Sequence, residues 1–333
     1  MSGRMRSALR GAGVVAAGAA VAVLVALSPR GGLVEPSTPP VPPDADAYVA
    51  ERVARSQALG VWPQATERLV RHGEGKTEVA FLYIHGFGAS RGEGEYVVDQ
   101  LAADWSANAY YTRLPGHGID IEAHASAEPS AWLLRVAEDL ALAQALGDKV
   151  VVVGSSTGAL LATWLAATYP ERVDALVLAS PFFDYPGSWT ASALNTRGAV
   201  HLLQAVSGNR DCRYVGERRQ TGYEDAWLEW QHHSALAALE GARRHCSRPE
   251  VLAAVSQPVL MMYHYASPDE HDTVVSVDAM REAYAAFNGG DPQAKSRQVV
   301  VADSDHVMLS QYVRTDKRSV RMALDVFLNN VLR

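Results

Sequence analysis

Cysteine and positive charge are both in short supply in this 333-residue chain. Its only two cysteines are Cys212 and Cys246, too few for a disulfide framework or a zinc site built from cysteines alone. They form one disulfide in an oxidising compartment, or stay as two free thiols. The net charge is -7 and the pI is near 5.9, and no basic stripe with interleaved aromatic residues occurs. These values exclude a nucleic-acid-binding footprint, so no nucleic acid partner is expected.

Other common signals are also missing. The chain has no internal repeat, no cluster of metal-binding residue types and no glycine-rich phosphate loop. We therefore expect neither a metal ion nor another cofactor. What the chain does have is 48% hydrophobic and 20% charged residues, an ordinary globular composition with material for a substantial core. Its length suits one large α/β domain with insertions, or two small domains.

The first 28 residues are typical of an export signal. Three arginines precede residues 11–28, an uncharged stretch rich in Ala and Val that is near the minimum length for spanning a bilayer. We favour a signal anchor over a cleaved signal peptide, because Pro29 directly follows the small-residue site Ala26-Leu27-Ser28 and hinders cleavage there. The protein is then exported and anchored in the membrane, facing the periplasm or the extracellular side. Cleavage would make it a secreted protein.

The pattern after this segment predicts a linker and then one globular domain. Residues 29–46 are rich in proline and predict an extended, unstructured spacer. In residues 47–333, apolar runs that are typical of buried parallel strands alternate with helical patterns. The predicted strands are 79–84, 109–112, 149–153, 175–179, 258–263 and 297–301, and the predicted helices include 48–59, 130–146 and 318–332. This order indicates an α/β fold, with a doubly wound, mostly parallel sheet.

One connection is too long for a single crossover helix. Nearly eighty residues separate Ser180 from Pro258, and we interpret residues 181–255 as an inserted, mostly helical cap. The aromatic residues of the cap either line an apolar pocket over the site or form the small core of the cap itself. They are Trp189, Tyr214, Tyr223, Trp227 and Trp230.

The pentapeptide Gly154-Ser155-Ser156-Thr157-Gly158 carries the chemistry. It fits the pattern G-x-S-x-G, follows an apolar strand and precedes a good helix-forming segment. That context predicts a nucleophile elbow, a sharp turn that holds the central serine in a strained backbone conformation. Flanking glycines let the strand and the helix approach closely. Ser156 is therefore the predicted nucleophile, at the N-terminus of a helix whose dipole favours developing negative charge.

A serine hydroxyl needs a base, and the base needs an orienting acid. In this topology the expected chain order is serine, acid, histidine. His306 follows the last strand, at the sheet edge where ligands bind in open α/β sheets, and is the predicted base. Asp272, in the loop after the strand at 258–263, is the predicted acid. Asp269 is the alternative.

The predicted oxyanion hole lies after the strand at 79–84. The small residues of His85-Gly86-Phe87-Gly88 let backbone N–H groups point into the site. The N–H groups of Phe87 and of Thr157, the residue after the nucleophile, are the expected donors. His85 itself is predicted to hold the loop rather than to take part in catalysis.

Together these motifs resemble the α/β-hydrolase superfamily. The chain looks most similar to the monoglyceride-lipase and carboxylesterase branch, also described as the serine aminopeptidase group. The resemblance covers about residues 78–333 and rests on His85–Gly88, Arg113–Gly118, Gly154–Gly158, Asp272–Val275 and His306. In two places the chain departs from the family. Thr157 stands where many relatives carry Met or Gln, and residues 186–255 match no cap that we can assign.

A serine at the elbow predicts ester hydrolysis through an acyl-enzyme on Ser156. The expected partner is a small-molecule acyl ester or lipid, and the enzyme is an esterase or a lipase, with monoacylglycerols among its candidate substrates. An amidase, peptidase or thioesterase on the same triad is the first alternative. A non-catalytic, membrane-tethered binding protein of this fold is the second, and the full set of Ser156, Asp272 and His306 argues against it.

Overall fold

The computed structural model describes residues 33, 35–187, 211–213 (backbone only) and 220–333. The predicted signal segment, residues 1–28, lies outside the described residues. In the part that is described, no helix combines the length and the apolar character needed to cross a membrane. The anchor therefore stays a prediction.

A mostly parallel sheet forms the centre of the molecule. Its strands are β1 (Arg68–Val70), β2 (Thr77–Ile84), β3 (Asn108–Tyr111), β4 (Gly147–Ser155), β5 (Ala175–Ala179), β8 (Val259–Ser267), β9 (Glu270–His271) and β10 (Arg297–Val301). They lie in the order β1-β3-β2-β4-β5-β8-β10, with β9 paired to β8. Only β1 and β9 run antiparallel to their neighbours among these strands. All six predicted strands are confirmed, although β8 continues four residues beyond its predicted end.

Helices connect the strands. They are α1 (Ala45–Ala58), α2 (Glu95–Asp104), α3 (Ile121–Ala125), α4 (Pro129–Leu146), α5 (Thr157–Thr168), α6 (Ala235–Cys246), α7 (Pro249–Ala253), α8 (Val277–Gly290) and α9 (Lys317–Leu332). Helix α1 begins three residues earlier than predicted, because the carboxylate of Asp44 accepts a hydrogen bond from the N–H of Ala47. Helix α4 begins one residue before its predicted start at 130. Pro129 occupies the first helical position, where its missing N–H costs nothing.

The sheet is buried on both faces, as the apolar strand sequences require. Successive residues of a strand point to opposite faces. Leu82 of β2 packs in a core cluster with residues of α4 and α5, whereas Phe81 belongs to a second cluster with residues of α2 and α9. The fold is therefore doubly wound, as predicted, and the carboxyl ends of its parallel strands meet at one edge.

Part of the proline-rich linker is held against the domain. The carboxylate of Glu35 accepts a hydrogen bond from the indole N–H of Trp164 in α5 (3.0 Å) and lies 2.9 Å from Nε2 of His245 in α6. Tyr169 donates its hydroxyl proton to the carbonyl oxygen of Pro36, at 3.2 Å. The expectation of an unstructured spacer is therefore wrong for this part of the linker.

The cap, proposed for residues 181–255, is described only in part. Its described elements include α6, α7 and a short antiparallel pair of strands, β6 (Asp211–Arg213) and β7 (Trp230–His232). Residues 188–210 and 214–219, with Trp189 and Tyr214, lie outside the described residues, so the bounds of the cap stay a prediction. Cys246 is a free and buried thiol. This does not support pairing with Cys212, whose side chain also lies outside the described part.

Candidate active site

Ser156 occupies the sharp turn between β4 and α5. Its backbone has φ 52° and ψ -116°, a combination that costs a non-glycine residue about 1–3 kcal/mol. Two hydrogen bonds hold the turn: the N–H of Ser156 donates to the carbonyl of Ala179 (2.9 Å), and the N–H of Phe182 donates to the carbonyl of Ser156 (3.1 Å). The elbow is thus tied to the end of β5 and to the segment that follows it.

The two flanking glycines are required by close backbone approach. A Cβ on Gly158 would lie 2.0 Å from the carbonyl oxygen of Ile84, and a Cβ on Gly154 would lie 2.6 Å from Cα of Ala159. Both contacts are with backbone atoms, which cannot move aside as a side-chain end can. The spacing of the motif is therefore explained by the packing of the elbow against β2 and α5.

We expect Gly158→Ala to lower the free energy of unfolding by about 3 kcal/mol, because the added methyl group overlaps the β2 backbone. Gly60→Ala is the matched control. Gly60 has φ +74° but no atom within 4 Å of its added Cβ, so only backbone strain of about 1 kcal/mol is expected. Urea unfolding followed by circular dichroism compares the two variants, and equal losses would contradict this account of the elbow.

The structure brings Asp272 and His306 together. Nδ1 of His306 lies 2.8 Å from Oδ2 of Asp272. Both residues are buried, with His306 4% exposed and Asp272 1% exposed. The other carboxylate oxygen of Asp272 accepts the N–H groups of Val274 (2.9 Å) and Val275 (3.2 Å). Asp269, the alternative acid, is exposed on the loop.

Burial and charge act in opposite directions on this pair. Burial alone would raise the pKa of Asp272, but the charge and hydrogen bond of His306 hold that pKa below its usual value. Burial alone would lower the pKa of His306, but the carboxylate of Asp272 raises it above its usual value. The carboxylates of Glu93 and Asp305 raise the pKa of His306 further. The pairing therefore stabilises the imidazolium form of His306 and the ionised form of Asp272 relative to the isolated side chains.

The loop after β2 lies against Ser156. A Cβ added to Gly86 would lie 3.1 Å from Cβ of Ser156, so only glycine allows this approach. Within the described residues, the N–H of Phe87 enters no hydrogen bond, and Thr157 is the first residue of α5, where N–H groups have no partner inside the helix. Phe87 and Thr157 stay the predicted oxyanion donors.

His85 fixes this loop from behind. Its Nε2 accepts the N–H of Leu114 (3.1 Å) and its Nδ1 lies 2.9 Å from the carbonyl oxygen of Gly86. Burial lowers the pKa of His85 to about 4, so the ring is neutral and can accept and donate at once. This arrangement agrees with the structural role predicted for His85.

Two more buried histidines lie behind Phe87. The ring of His124 is 4.5 Å from that of Phe87 and 4.6 Å from that of His117. Burial lowers the pKa of both histidines, to about 4 for His124, so the rings pack as neutral aromatic groups. In residues 35–187 and 220–333, no group of three or more His, Cys, Asp or Glu side chains is arranged to hold a metal ion.

The cap contacts the oxyanion loop directly. The N–H of Leu228 donates to the carbonyl of Gly88 (2.8 Å), and Ala89 and Trp227 form an antiparallel bridge. Tyr223 stacks on Trp227 with ring centroids 4.2 Å apart, in a small cluster with residues of the His306 loop. For these two aromatic residues the structure therefore favours a small core over the lining of a pocket. Trp230 is 46% exposed.

Sequence reasoning missed Glu93. This carboxylate is 2% exposed and accepts hydrogen bonds from the N–H of Gly86 (2.6 Å) and the hydroxyl of Tyr83 (3.0 Å). Burial raises its pKa to about 7, although the hydrogen bond from Gly86 and the positive charge of His306 act in the opposite direction. An acidic residue among the glycines of residues 92–94 gives no sequence signal of burial.

Comparisons of the chain with known proteins agree with this architecture. Residues 79–204 match the family model of the α/β-hydrolase fold. The structure of one of two metagenome-derived lipolytic enzymes, LipS and LipT, superposes with a TM-score of 0.65 at 19% identity, over 81% of this chain and 99% of that one. A monoacylglycerol lipase from Paleococcus ferrophilus gives a TM-score of 0.55 at 11% identity, over 78% and 97%. The chain therefore has the α/β-hydrolase fold, and the resemblance to that superfamily is confirmed.

Curated relatives add a narrower similarity. The chain is 33% identical, over 124 residues, to a pimeloyl-[acyl-carrier protein] methyl ester esterase of Neisseria meningitidis serogroup C. The aligned region covers 33% of this chain and 42% of the relative. It is 31% identical, over 132 residues, to the enzyme of that name from Vibrio parahaemolyticus, and this aligned region covers 38% of this chain and 48% of the relative. The chain thus spans less than half the length of these relatives.

Proposed function

We propose that this protein is a carboxylic-ester hydrolase that works through an acyl-enzyme on Ser156. The observation that supports this function is the strained elbow of Ser156 at the sheet edge that also carries the buried pair of Asp272 and His306. A serine hydrolase needs these three groups, and each comes after a different parallel strand. In a serine hydrolase the strained backbone of Ser156 serves a purpose, because it presents the hydroxyl at the tip of the turn.

The proposed reaction has two steps. In the first, Oγ of Ser156 attacks the ester carbonyl while Nε2 of His306 takes the hydroxyl proton and passes it to the leaving alcohol. In the second, His306 takes a proton from water, which attacks the acyl-enzyme, and then gives that proton to Oγ of Ser156 as the acyl–Oγ bond breaks and the carboxylic acid leaves. Asp272 holds Nδ1–H and stabilises the imidazolium. The N–H groups of Phe87 and Thr157 stabilise the tetrahedral oxyanion.

An ester is the proposed substrate for two reasons. Serine as the nucleophile supports acyl transfer, and the similarity to methyl ester esterases favours an ester over an amide or a thioester. Within this class we propose acyl esters, with monoacylglycerols as one candidate. The amidase, peptidase and thioesterase alternatives use the same residues.

The test is a probe and a substrate panel applied to the full chain. A fluorophosphonate probe is expected to label Ser156 covalently, and p-nitrophenyl esters of graded chain length are expected to be cleaved faster than acyl-CoA or aminoacyl amides. A folded protein that takes no label would refute the hydrolase, and a preference for acyl-CoA or the amides would replace the esterase with one of the alternatives.

We further propose that residues 11–28 anchor the protein in a membrane after export, on the sequence pattern alone. The mature protein should then sediment with the membrane fraction, and its N-terminus should lie before Gly11. Protease added outside the cytoplasmic membrane should degrade the domain, because the basic residues at the start of the chain keep the N-terminus in the cytoplasm and place the domain on the other side of the membrane. A soluble form that begins after Ser28 would show a cleaved signal peptide instead.

A further inference from the structure

We propose that Glu93 is a positioning residue that holds the oxyanion loop against Ser156 and gives His306 a second negative charge besides that of Asp272. The proposal rests on the serine-hydrolase function proposed above. Glu93 is hydrogen-bonded to Gly86, which lies beside Ser156, so it is argued to act through Gly86 and His306.

The first contact is with the loop. Glu93 accepts the Gly86 N–H at 2.6 Å, and Gly86 lies between the carboxylate and the nucleophile. A Cβ on Gly86 would be 2.8 Å from Oε1 of Glu93 and 3.1 Å from Cβ of Ser156. The glycine is therefore clamped between the two side chains. Because the next N–H along the chain is that of Phe87, the Glu93 hydrogen bond fixes the orientation of a proposed oxyanion donor.

The second interaction is between charges, with no hydrogen bond between the two side chains in the described residues. The charges of Glu93 and His306 each favour the ionised form of the other. Tyr83 from β2 donates to Glu93, and the hydroxyl of Ser155, at the end of β4, also lowers the pKa of Glu93. Asp272 and Asp305 face His306. A carboxylate this deeply buried loses hydration, and two donors and one cation compensate for that loss.

The position of Glu93 is itself fixed from both sides. It is the last residue of a short 3₁₀ helix, Arg91–Glu93, whose N-cap is Ser90. The hydroxyl of Ser90 donates to the carbonyl of Ala226 in the cap (3.0 Å), and the hydroxyl of Ser310, in the loop after His306, lies 3.4 Å from the carbonyl oxygen of Gly92. Glu93 is thus held between the cap, the oxyanion loop and the loop of the base.

The ionised form of Glu93 is the form that is proposed to hold the oxyanion loop. An ionised carboxylate accepts the Gly86 N–H more strongly than a neutral one does. Burial raises the pKa of Glu93 to about 7, and the charge of Glu93 raises the pKa of His306, so the two titrations are coupled. His306 acts as a base only when neutral, so reactivity is lost as the pH falls. The acid limb of the pH profile therefore reports both groups.

Two variants move this limb in the same direction by different amounts. Glu93→Gln keeps an acceptor for Gly86 but removes the charge, which lowers the pKa of His306, so the midpoint should fall by about half a pH unit or more. Tyr83→Phe removes a hydrogen bond to the ionised carboxylate, which raises the pKa of Glu93 and leaves it neutral over more of the pH range, so the midpoint should fall by less than in Glu93→Gln. The readout is the second-order rate of fluorophosphonate labelling of the full chain from pH 5 to pH 9.

Control measurements distinguish a failure of this inference from misfolding of a variant and from a failure of the proposed function. Glu78→Gln removes a charge from an exposed side chain of β2 and should leave the midpoint unchanged. Circular dichroism reports whether Glu93→Gln folds, and Tyr83→Phe decides the matter if it does not. Unchanged midpoints, or a midpoint that rises in either variant, would overturn the role of Glu93. A wild-type chain that takes no label would instead overturn the serine hydrolase.

Discussion

Ser156→Ala is expected to reduce ester hydrolysis by about 10⁶-fold and to abolish covalent labelling by a fluorophosphonate. The loss is this large because the nucleophile and its base act as a unit, and the remaining oxyanion donors stabilise a reaction with water only weakly. The fold should survive, since the φ of 52° at this position is strained for serine and alanine alike. Initial rates with p-nitrophenyl acetate measure the loss.

The neighbouring serine is the matched control. Ser155 ends β4 in the extended strand, one residue before the turn, so Ser155→Ala should still be labelled. Peptide mass spectrometry of the labelled chain identifies which of the two adjacent serines carries the phosphonate. Label on Ser155, or hydrolysis that persists in Ser156→Ala, would contradict the elbow assignment.

Asp272→Asn is expected to reduce kcat by about 10⁴-fold. An asparagine offers His306 either an amide oxygen or an amide N–H, and the second of these forces the imidazole into the wrong tautomer. The cost also includes the lost charge, which holds the pKa of His306 above its usual value. Steady-state rates across pH 5 to 9 measure both effects. The residual activity should extend to lower pH.

Asp269→Asn removes the same charge three residues earlier, from an exposed position. Its kcat should stay within about twofold of the wild-type value, because an exposed charge is screened by solvent. Comparable losses in the two variants would reject Asp272 as the acid. A greater loss in Asp269→Asn would transfer the role to Asp269.

The sequence was a good guide wherever chemistry is tied to a local pattern. The elbow is local, because strand, glycines and helix lie within one short stretch, and its position was predicted correctly. The contact between Asp272 and His306 joins positions 34 residues apart, yet the order of elements predicted it, since β8 and β10 are neighbours in the sheet. Linker contacts such as that of Glu35 with Trp164 could not be predicted, because they depend on a helix surface 129 residues away.

Glu93 shows the same limit inside the site. Nothing in a glycine-rich loop distinguishes a buried glutamate from the partly exposed Glu95 that follows it by two residues. Only the turn of the 3₁₀ helix directs one carboxylate towards Gly86, while the other pairs with Arg68 and Arg91 at the surface. Burial of a charge is decided by tertiary packing, which a propensity or a pattern does not contain.

The bridge between Ala89 and Trp227 has a consequence for engineering. The cap and the oxyanion loop share backbone hydrogen bonds. The conformation of the loop therefore depends on the cap, and the cap cannot be exchanged independently of the site. A chimera that exchanges the whole cap for that of another enzyme would remove partners of the loop that carries Phe87. To change substrate range without losing turnover, a graft would need to retain residues 226–228 and vary the cap only beyond them.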